Sequence, residues 1–361
     1  MTRTALLPLR GEIHRILVLR PRALGDVLLA TPALRALRAG FPHAALDLGV
    51  DDVLLPVVAR NPHVDRVWPL PRRRPVRQRD WLRLAAELAR SHYDLVVDLH
   101  GSPRTALLSR LTGAPNRVGY ALRVRGRLYN LRVPRDSDRS GQRRLLYAAR
   151  TNLEIVARCG VTGPVLDDTT LVLPPDPAAE ARMEACLAAQ VPERPRVGLV
   201  PAGTWPAKTW ALENWARLGD ELVRRGTQVV LLWGPGERHV ADGVRAAMHA
   251  PAVVLPPTDL DELAAVVARL DLLVCHDSGV KHVAVARDTP TLTLYGPTNP
   301  LAWSPPSGPH AGLRVRLPCT ACNRTQCQHH LCMRLLEPDA VAVRAAHLMA
   351  AAEGGRRTWR S

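Results

Sequence analysis

Arg15-Ile16-Leu17-Val18-Leu19-Arg20-Pro21-Arg22-Ala23-Leu24-Gly25-Asp26 is the stretch whose reading decides the fold. Four apolar residues between arginines are too few for a buried helix and suit a strand enclosed on both faces. A loop holding Pro21 and Gly25 follows, and residues 27–38 then repeat apolar side chains at helical spacing. This is a strand–loop–helix unit. The alternation continues with strands at 45–50, 66–69 and 94–99, separated by helices at 53–59 and 80–90. A basic stretch at 123–144 interrupts it as loop and helix start, and a helix resumes at 142–159.

Pro174-Pro175-Asp176-Pro177 reads as a linker. Beyond it lie a helix at 178–189 and strands at 196–201, 228–233, 252–255, 272–275 and 291–295. Helices at 212–225, 240–249, 259–269 and 279–286 fall between them. Strands alternating with helices specify parallel sheets covered on both faces. The chain therefore reads as α/β with two similar domains, 1–175 and 176–361.

Hydrophobic residues make up 47% and charged residues 23%, a globular balance. No apolar run approaches the ~20 residues that cross a bilayer, so no transmembrane segment is expected. Residues 1–10 show no secretory signal, which predicts a cytoplasmic protein. Charge is unevenly divided. Residues 1–170 carry 29 Lys+Arg against 15 Asp+Glu, a net of +14, whereas residues 171–361 carry 20 against 18, a net of +2. A basic first half suits an anionic partner: nucleic acid, an anionic membrane surface or an acidic substrate. Of the 49 basic residues only Lys208 and Lys281 are lysines. Arginine does not replace a compact ammonium that meets a phosphate or a reacting centre in tight space, which marks the two positions, with chance as the alternative for one of them.

In the second half, a buried strand ends at Asp277-Ser278-Gly279 and a helix carrying Lys281 and His282 opens at once. Unpaired N–H groups, a partial positive charge and a glycine make such a helix start a seat for phosphate. An ordinary N-cap at Asp277 or Ser278 accounts for the same residues equally well. The loop Gly203-Thr204-Trp205-Pro206-Ala207-Lys208 leaves another strand, and its threonine and lysine can close on the same anion. Glu237, in a glycine turn at a third strand end, suits ribose hydroxyls. Tyr295-Gly296-Pro297-Thr298 lies at a fourth. In the first half, Gly25-Asp26 occupies the corresponding strand end, where a carboxylate can serve as general base or as a plain cap. Arg104, Arg117 and Arg123 would hold an anionic acceptor.

Cys319, Cys322, Cys327 and Cys332 cluster with His329 and His330. Such density in a cytoplasmic chain suggests structural zinc over a disulfide knot, although the spacing departs from paired CxxC motifs. Cys159, Cys186 and Cys275 lie in apolar runs and read as core residues.

The chain resembles glycosyltransferase family 9, the ADP-heptose:lipopolysaccharide heptosyltransferases. The resemblance rests on Ile16-Leu17-Val18-Leu19-Arg20 with Leu24-Gly25-Asp26 and Thr31-Pro32-Ala33-Leu34, on residues 94–101 with Arg117-Val118-Gly119, and on Lys208-Thr209-Trp210 with Trp215. It extends through Asp277-Ser278-Gly279 with His282, Tyr295-Gly296-Pro297-Thr298 and Cys332-Met333. It implies a GT-B fold, two Rossmann-like domains with parallel sheets facing across a central cleft, the first binding acceptor and the second nucleotide sugar. The last helix would pack back on the first domain. It implies transfer of heptose from ADP-heptose, with inversion and with no cofactor required for catalysis. Asp26 would take the acceptor proton, with Gly25 beside it, and Lys208 would stabilise the departing diphosphate. Thr204, Ser278 and Gly279 would bind phosphate, Glu237 the ribose, and Asp277 and His282 would shape the donor pocket. Lys281 departs from the family pattern. The acceptor would be an acidic glycolipid at the inner membrane surface, reached by a peripheral cytoplasmic enzyme, and not a nucleic acid.

Two other readings fit parts of the chain. A GT-B enzyme with another nucleotide sugar or a protein acceptor keeps the loops but changes the substrates. A nonenzymatic binder of anionic polymers explains the charge and leaves the convergent strand-end loops of the second half without a purpose.

Overall fold

The computed structural model describes residues 6–72, 77–134, 146–193, 195–203, 205–319 and 321–358, with side chains to residue 352. Contacts divide the chain into two compact units, Met1–Pro174 and Pro175–Ser361.

The first unit carries strands β1 (Arg15–Leu19), β2 (Ala45–Asp51), β3 (Arg66–Leu70), β4 (Leu95–Asp98), β5 (Asn116–Tyr120) and β6 (Leu131–Val133). They form one parallel sheet in the order β3-β2-β1-β4-β5-β6. Helices α1 (Leu24–Leu28), α2 (Thr31–Gly40), α3 (Leu55–Ala59), α4 (Gln78–Arg90), α5 (Pro103–Leu111) and α6 (Ala148–Arg158) connect and cover it. The second unit repeats the plan. Strands β7 (Arg196–Val200), β8 (Gln228–Leu231), β9 (Val253–Val254), β10 (Leu272–His276), β11 (Thr291–Leu294) and β12 (His310–Leu313) form a parallel sheet in the order β12-β11-β10-β7-β8-β9. Its helices are α7 (Pro177–Gln190), α8 (Leu212–Arg224), α9 (Arg238–Ala247), α10 (Leu260–Val267), α11 (Gly279–Ala286), α12 (Pro300–Trp303), α13 (Leu331–Arg334) and α14 (Pro338–Thr358).

In both sheets the strand order reverses once, between β1 and β4 and between β7 and β10. Two loops diverge at such a switch point, which opens the crevice where open α/β sheets bind ligands. Register fixes which residues meet there: Leu19 pairs with Asp98, and Val200 with Cys275.

The helix expected at 27–38 is two helices. Pro32, with no N–H to donate, sits in the first turn of α2, and Thr31 Oγ1 donates to Leu28 O at 2.7 Å. Strands β5, β6 and β12 and helix α5 fall where the sequence reading placed loops or assigned nothing. Each of these strands is short and lies toward the β6 or β12 edge of its sheet, where the apolar run is weakest. Much of the 123–144 stretch lies outside the described residues.

The last helix was expected to turn back on the first domain. Within the second unit, its residues Val341, Ala342, Ala345, Leu348 and Met349 join Trp210, Trp215, Leu218 and Leu222 in one core.

Candidate functional site

At the β1/β4 switch, Asp26 lies in the first turn of α1, one residue after the buried Gly25. Its Oδ2 accepts from Ala23 N at 3.1 Å and its Oδ1 stands 2.6 Å from Arg20 Nη2. Arg20 Nη1 donates to Leu99 O, so one guanidinium ties the loop after β1 to the end of β4. The Asp26 side chain remains 27% exposed, which leaves it open to a substrate hydroxyl. The cap and general-base readings are therefore compatible: one oxygen closes the helix start and the other faces Arg20.

The loop after β4 is held by a buried carboxylate. Asp98 Oδ1 accepts from His100 N and Gly101 N, both at 2.9 Å, and its Oδ2 accepts from Tyr129 OH at 2.6 Å. Burial raises the Asp98 pKa, and these hydrogen bonds oppose it. Gly119 lies beneath the Tyr129 ring: a Cβ there would meet ring carbons at 2.5 Å.

The three candidate acceptor arginines fare differently. Arg104 is exposed and its guanidinium stacks 4.5 Å over Trp81. Arg123 is exposed. Arg117 is half-buried, with Nε donating to Leu128 O at 3.2 Å and Nη1 to Ala114 O. Two of its guanidinium nitrogens hold backbone carbonyls. A charged residue inside a strand finds the nearest unpaired carbonyls when its head does not reach water.

At the β7/β10 switch Lys208, Asp277 and Lys281 come together at the start of α11. Ser278 is the N-cap of α11 and makes no side-chain cap hydrogen bond. Its Oγ and the His282 Nδ1 are buried without a hydrogen-bond partner among the described residues, which marks them as atoms suited to a ligand. Gly279 opens the helix. Lys208 Nζ, carried by the loop after β7, donates to Asp277 O at 2.9 Å and Asp277 Oδ2 at 3.2 Å. Its ammonium also lies 4.2 Å over the Trp205 ring.

Lys281 was expected at the phosphate seat with its charge facing the ligand. It is 1% exposed, and its Nζ donates to Asp277 Oδ1 at 2.6 Å and Tyr295 OH at 3.1 Å. Helical side chains point toward the N-terminus, so a lysine four residues after Asp277 reaches back to it. Burial raises the Asp277 pKa, yet Lys281 and then Lys208 outweigh it and hold the carboxyl well below the usual carboxylate range. Burial lowers the pKa of His282 well below its ordinary value, with Lys281 adding to the effect, and the neutral ring meets Trp303 edge-on at 6.4 Å. Glu237 precedes α9, and its Oε2 accepts from Gly234 N at 3.1 Å, closing its own turn. Thr204 lies outside the described residues.

Arg20, His276 and Tyr295 hold this geometry and were given no role from sequence. His276 Nε2 accepts from Trp210 N at 3.0 Å, pinning the loop that carries Lys208, and burial pushes its pKa down to about 4. Their signal was position: Arg20 directly follows and His276 ends a switch-point strand, and Tyr295 directly follows β11, the neighbour of β10.

The cysteine segment is tied to the donor loops. Ala207 N donates to Thr325 O at 3.1 Å and Asn323 N to Pro297 O at 2.8 Å. Cys319, Cys322 and Cys327 are exposed, and Cys332 packs against the core. The structural-zinc expectation is not supported by this geometry: among the described residues no three His, Cys, Asp or Glu side chains are grouped to hold a metal ion.

Two switch-point sites on two Rossmann-like units, one with an accessible carboxylate and one with a helix start and lysine, define a GT-B glycosyltransferase. The family model "Glycosyltransferase family 9 (heptosyltransferase)" matches residues 81–332, and the chain belongs to that family. Lipopolysaccharide heptosyltransferase 1 of Pseudomonas aeruginosa is 28% identical, covering 94% of this chain and 99% of that protein. Lipopolysaccharide heptosyltransferase 2 of Salmonella typhimurium is 27% identical over 84% of this chain and 88% of its own length. Among solved structures, the glycosyl transferase family 9 protein from Veillonella parvula superposes with a TM-score of 0.79 at 23% identity, covering 94% and 97% of the two chains. E. coli ADP-heptose lps heptosyltransferase II gives 0.77 at 24%, covering 94% and 99%.

Proposed function

We propose that this chain transfers heptose from ADP-heptose to an acidic sugar of the lipopolysaccharide inner core, with inversion at the anomeric carbon. The observation that carries the reading is the β7/β10 seat: a Ser278 Oγ buried without a partner among the described residues at a helix start, with the Lys208 ammonium on the preceding residue, Asp277. The two curated relatives named above are lipopolysaccharide heptosyltransferases, which supports the choice of sugar and acceptor.

The second unit holds the donor. Ser278 and Gly279 receive the diphosphate at the positive end of α11, with Thr204 from the loop after β7, and Lys208 meets the charge that grows on it as the sugar–phosphate bond breaks. Glu237 takes the ribose, and Asp277 and His282 border the sugar. The first unit supplies the base. Asp26 accepts the proton of the acceptor hydroxyl as that oxygen bonds to the anomeric carbon.

The acceptor is placed at the cytoplasmic face of an anionic membrane, with the protein peripheral to it. Among the described residues no helix is long and apolar enough to cross a membrane. The support is a surface of the first unit: Arg104, Leu107, Arg110 and Leu111 share the exposed face of α5, and the adjoining turn exposes Arg123, Val124 and Arg127. Arginines alternating with exposed apolar residues suit an interface between headgroups and acyl chains.

Calorimetry with ADP, UDP, GDP and their sugars tests the donor. ADP and ADP-heptose are expected to bind and the others not; a preference for UDP would sink the assignment. Sedimentation with phosphatidylglycerol vesicles tests the surface, and binding unchanged in Leu107→Gln/Val124→Gln would remove it.

A further inference from the structure

Among the described residues, the Asp277 carboxylate stands between two ammonium groups, those of Lys281 and Lys208. Asp277 Oδ1 takes Lys281 at 2.6 Å, while Asp277 Oδ2 and its backbone oxygen take Lys208 at 3.2 and 2.9 Å. One carboxylate neutralises one of them, so the buried cluster carries a positive charge in excess, which an incoming anion balances. The two lysines are differently placed. Lys281 is enclosed on α11 and has a second acceptor in Tyr295, whose hydroxyl lies 2.7 Å from Ser304 Oγ. Lys208 ends a short 3₁₀ turn in a loop, is 12% exposed and lies against the Trp205 ring. Lys208, on a loop and partly open to solvent, is the one that reaches the surface of the seat.

We propose that Lys281 is the resident counter-ion of Asp277, a positioning residue that allows Lys208 to leave that carboxylate for the donor's diphosphate. With Lys281 absent, Asp277 has Lys208 as its lysine partner, and a diphosphate that draws Lys208 away strands a buried charge. Two cations on one carboxylate remove that competition. The enclosed site also accounts for a lysine in a chain whose basic residues, Lys208 and Lys281 apart, are all arginine, since a planar guanidinium needs more room than an ammonium. The inference rests on the reading that Lys208 receives the diphosphate.

The test is ADP affinity by calorimetry on the full chain, with thermal melts as the folding control, for wild type, Lys208→Met, Lys281→Met and Asp277→Asn/Lys281→Met. Lys281→Met is expected to weaken ADP binding on the order of tenfold. The double variant is expected to return it close to the wild-type value, because a neutral amide no longer competes for Lys208. A lysine that serves packing alone predicts no such rescue. Wild-type affinity in Lys281→Met, or a double variant no better than the single, overturns the proposal. If Lys281→Met does not fold, the double variant decides in the same way by its own affinity. Undiminished ADP binding in Lys208→Met would instead remove the underlying reading, so the two failures are distinguishable.

Discussion

Arg20 Nη2 stands 2.6 Å from Asp26 Oδ1, so the candidate base meets its substrate already paired with a cation fixed to the neighbouring strand. Such a pair orients the carboxylate toward its guanidinium. Asp26→Ala is expected to lower the transfer rate by about 10²–10⁴-fold with ADP affinity nearly unchanged. Arg20→Met, which frees the carboxylate to rotate, is expected to give a smaller loss, in kcat. Single-turnover kinetics beside calorimetry measure both, and full turnover in Asp26→Ala would remove the general-base role.

Lys208→Ala is expected to impair ADP binding and turnover together, with turnover falling by roughly 10²-fold, the scale for losing one group that stabilises developing charge. The fold should persist, because Asp277 keeps Lys281. Equal melting temperatures with unequal kcat would be the supporting pattern.

His276 makes stability acid-sensitive. Burial lowers its folded pKa to about 4 from 6.5, so the unfolded chain takes up the proton first. Its contribution is present above about pH 6.5 and is lost as pH falls toward 4, by about 3 kcal/mol. Thermal melts at pH 7 and pH 4.5 should show a smaller acid drop in His276→Gln than in wild type. Parallel drops would assign the acid lability to other groups.

The cysteines should separate by reactivity. Cys327 is exposed and its thiol pKa is lowered by the backbone N–H groups of His330 and His329, whereas burial pushes Cys159 and Cys275 up to about 12. Brief iodoacetamide treatment near pH 7 is expected to label Cys327 ahead of those two, read by peptide mass spectrometry. Labelling of Cys275 first would show that the β10 end opens in solution.

Gly119→Ala is expected to destabilise the first unit by about 1–3 kcal/mol, since the added methyl must displace the Tyr129 ring. Because that ring holds Asp98, the His100–Gly101 loop should loosen as well, measurable as faster amide exchange at Gly101. Unchanged stability would mean that the ring moves aside freely.

Much of this was legible in the sequence because it is local. The apolar run of β1 followed by Gly25 and Asp26, and that of β10 followed by Ser278 and Gly279, specify strand–loop–helix units by composition and spacing alone. The split helix at Thr31 and the missed α5 belong to the same scale: they turned on a proline and on a weakly amphipathic face.

What the sequence determined by itself was the alternation of strands and helices, the glycine loops at strand ends, the basic first half and the two conspicuous lysines. Tertiary structure decided which strands are neighbours, and with that which loops share a crevice. Lys208 and Asp277 are 69 residues apart and meet because β7 and β10 pair at the switch point; parallel pairing is long-range and leaves no local mark. It also turned Lys281 inward and Arg117 onto carbonyls. A charged side chain takes the nearest partner that its backbone direction allows, and that partner is set by packing.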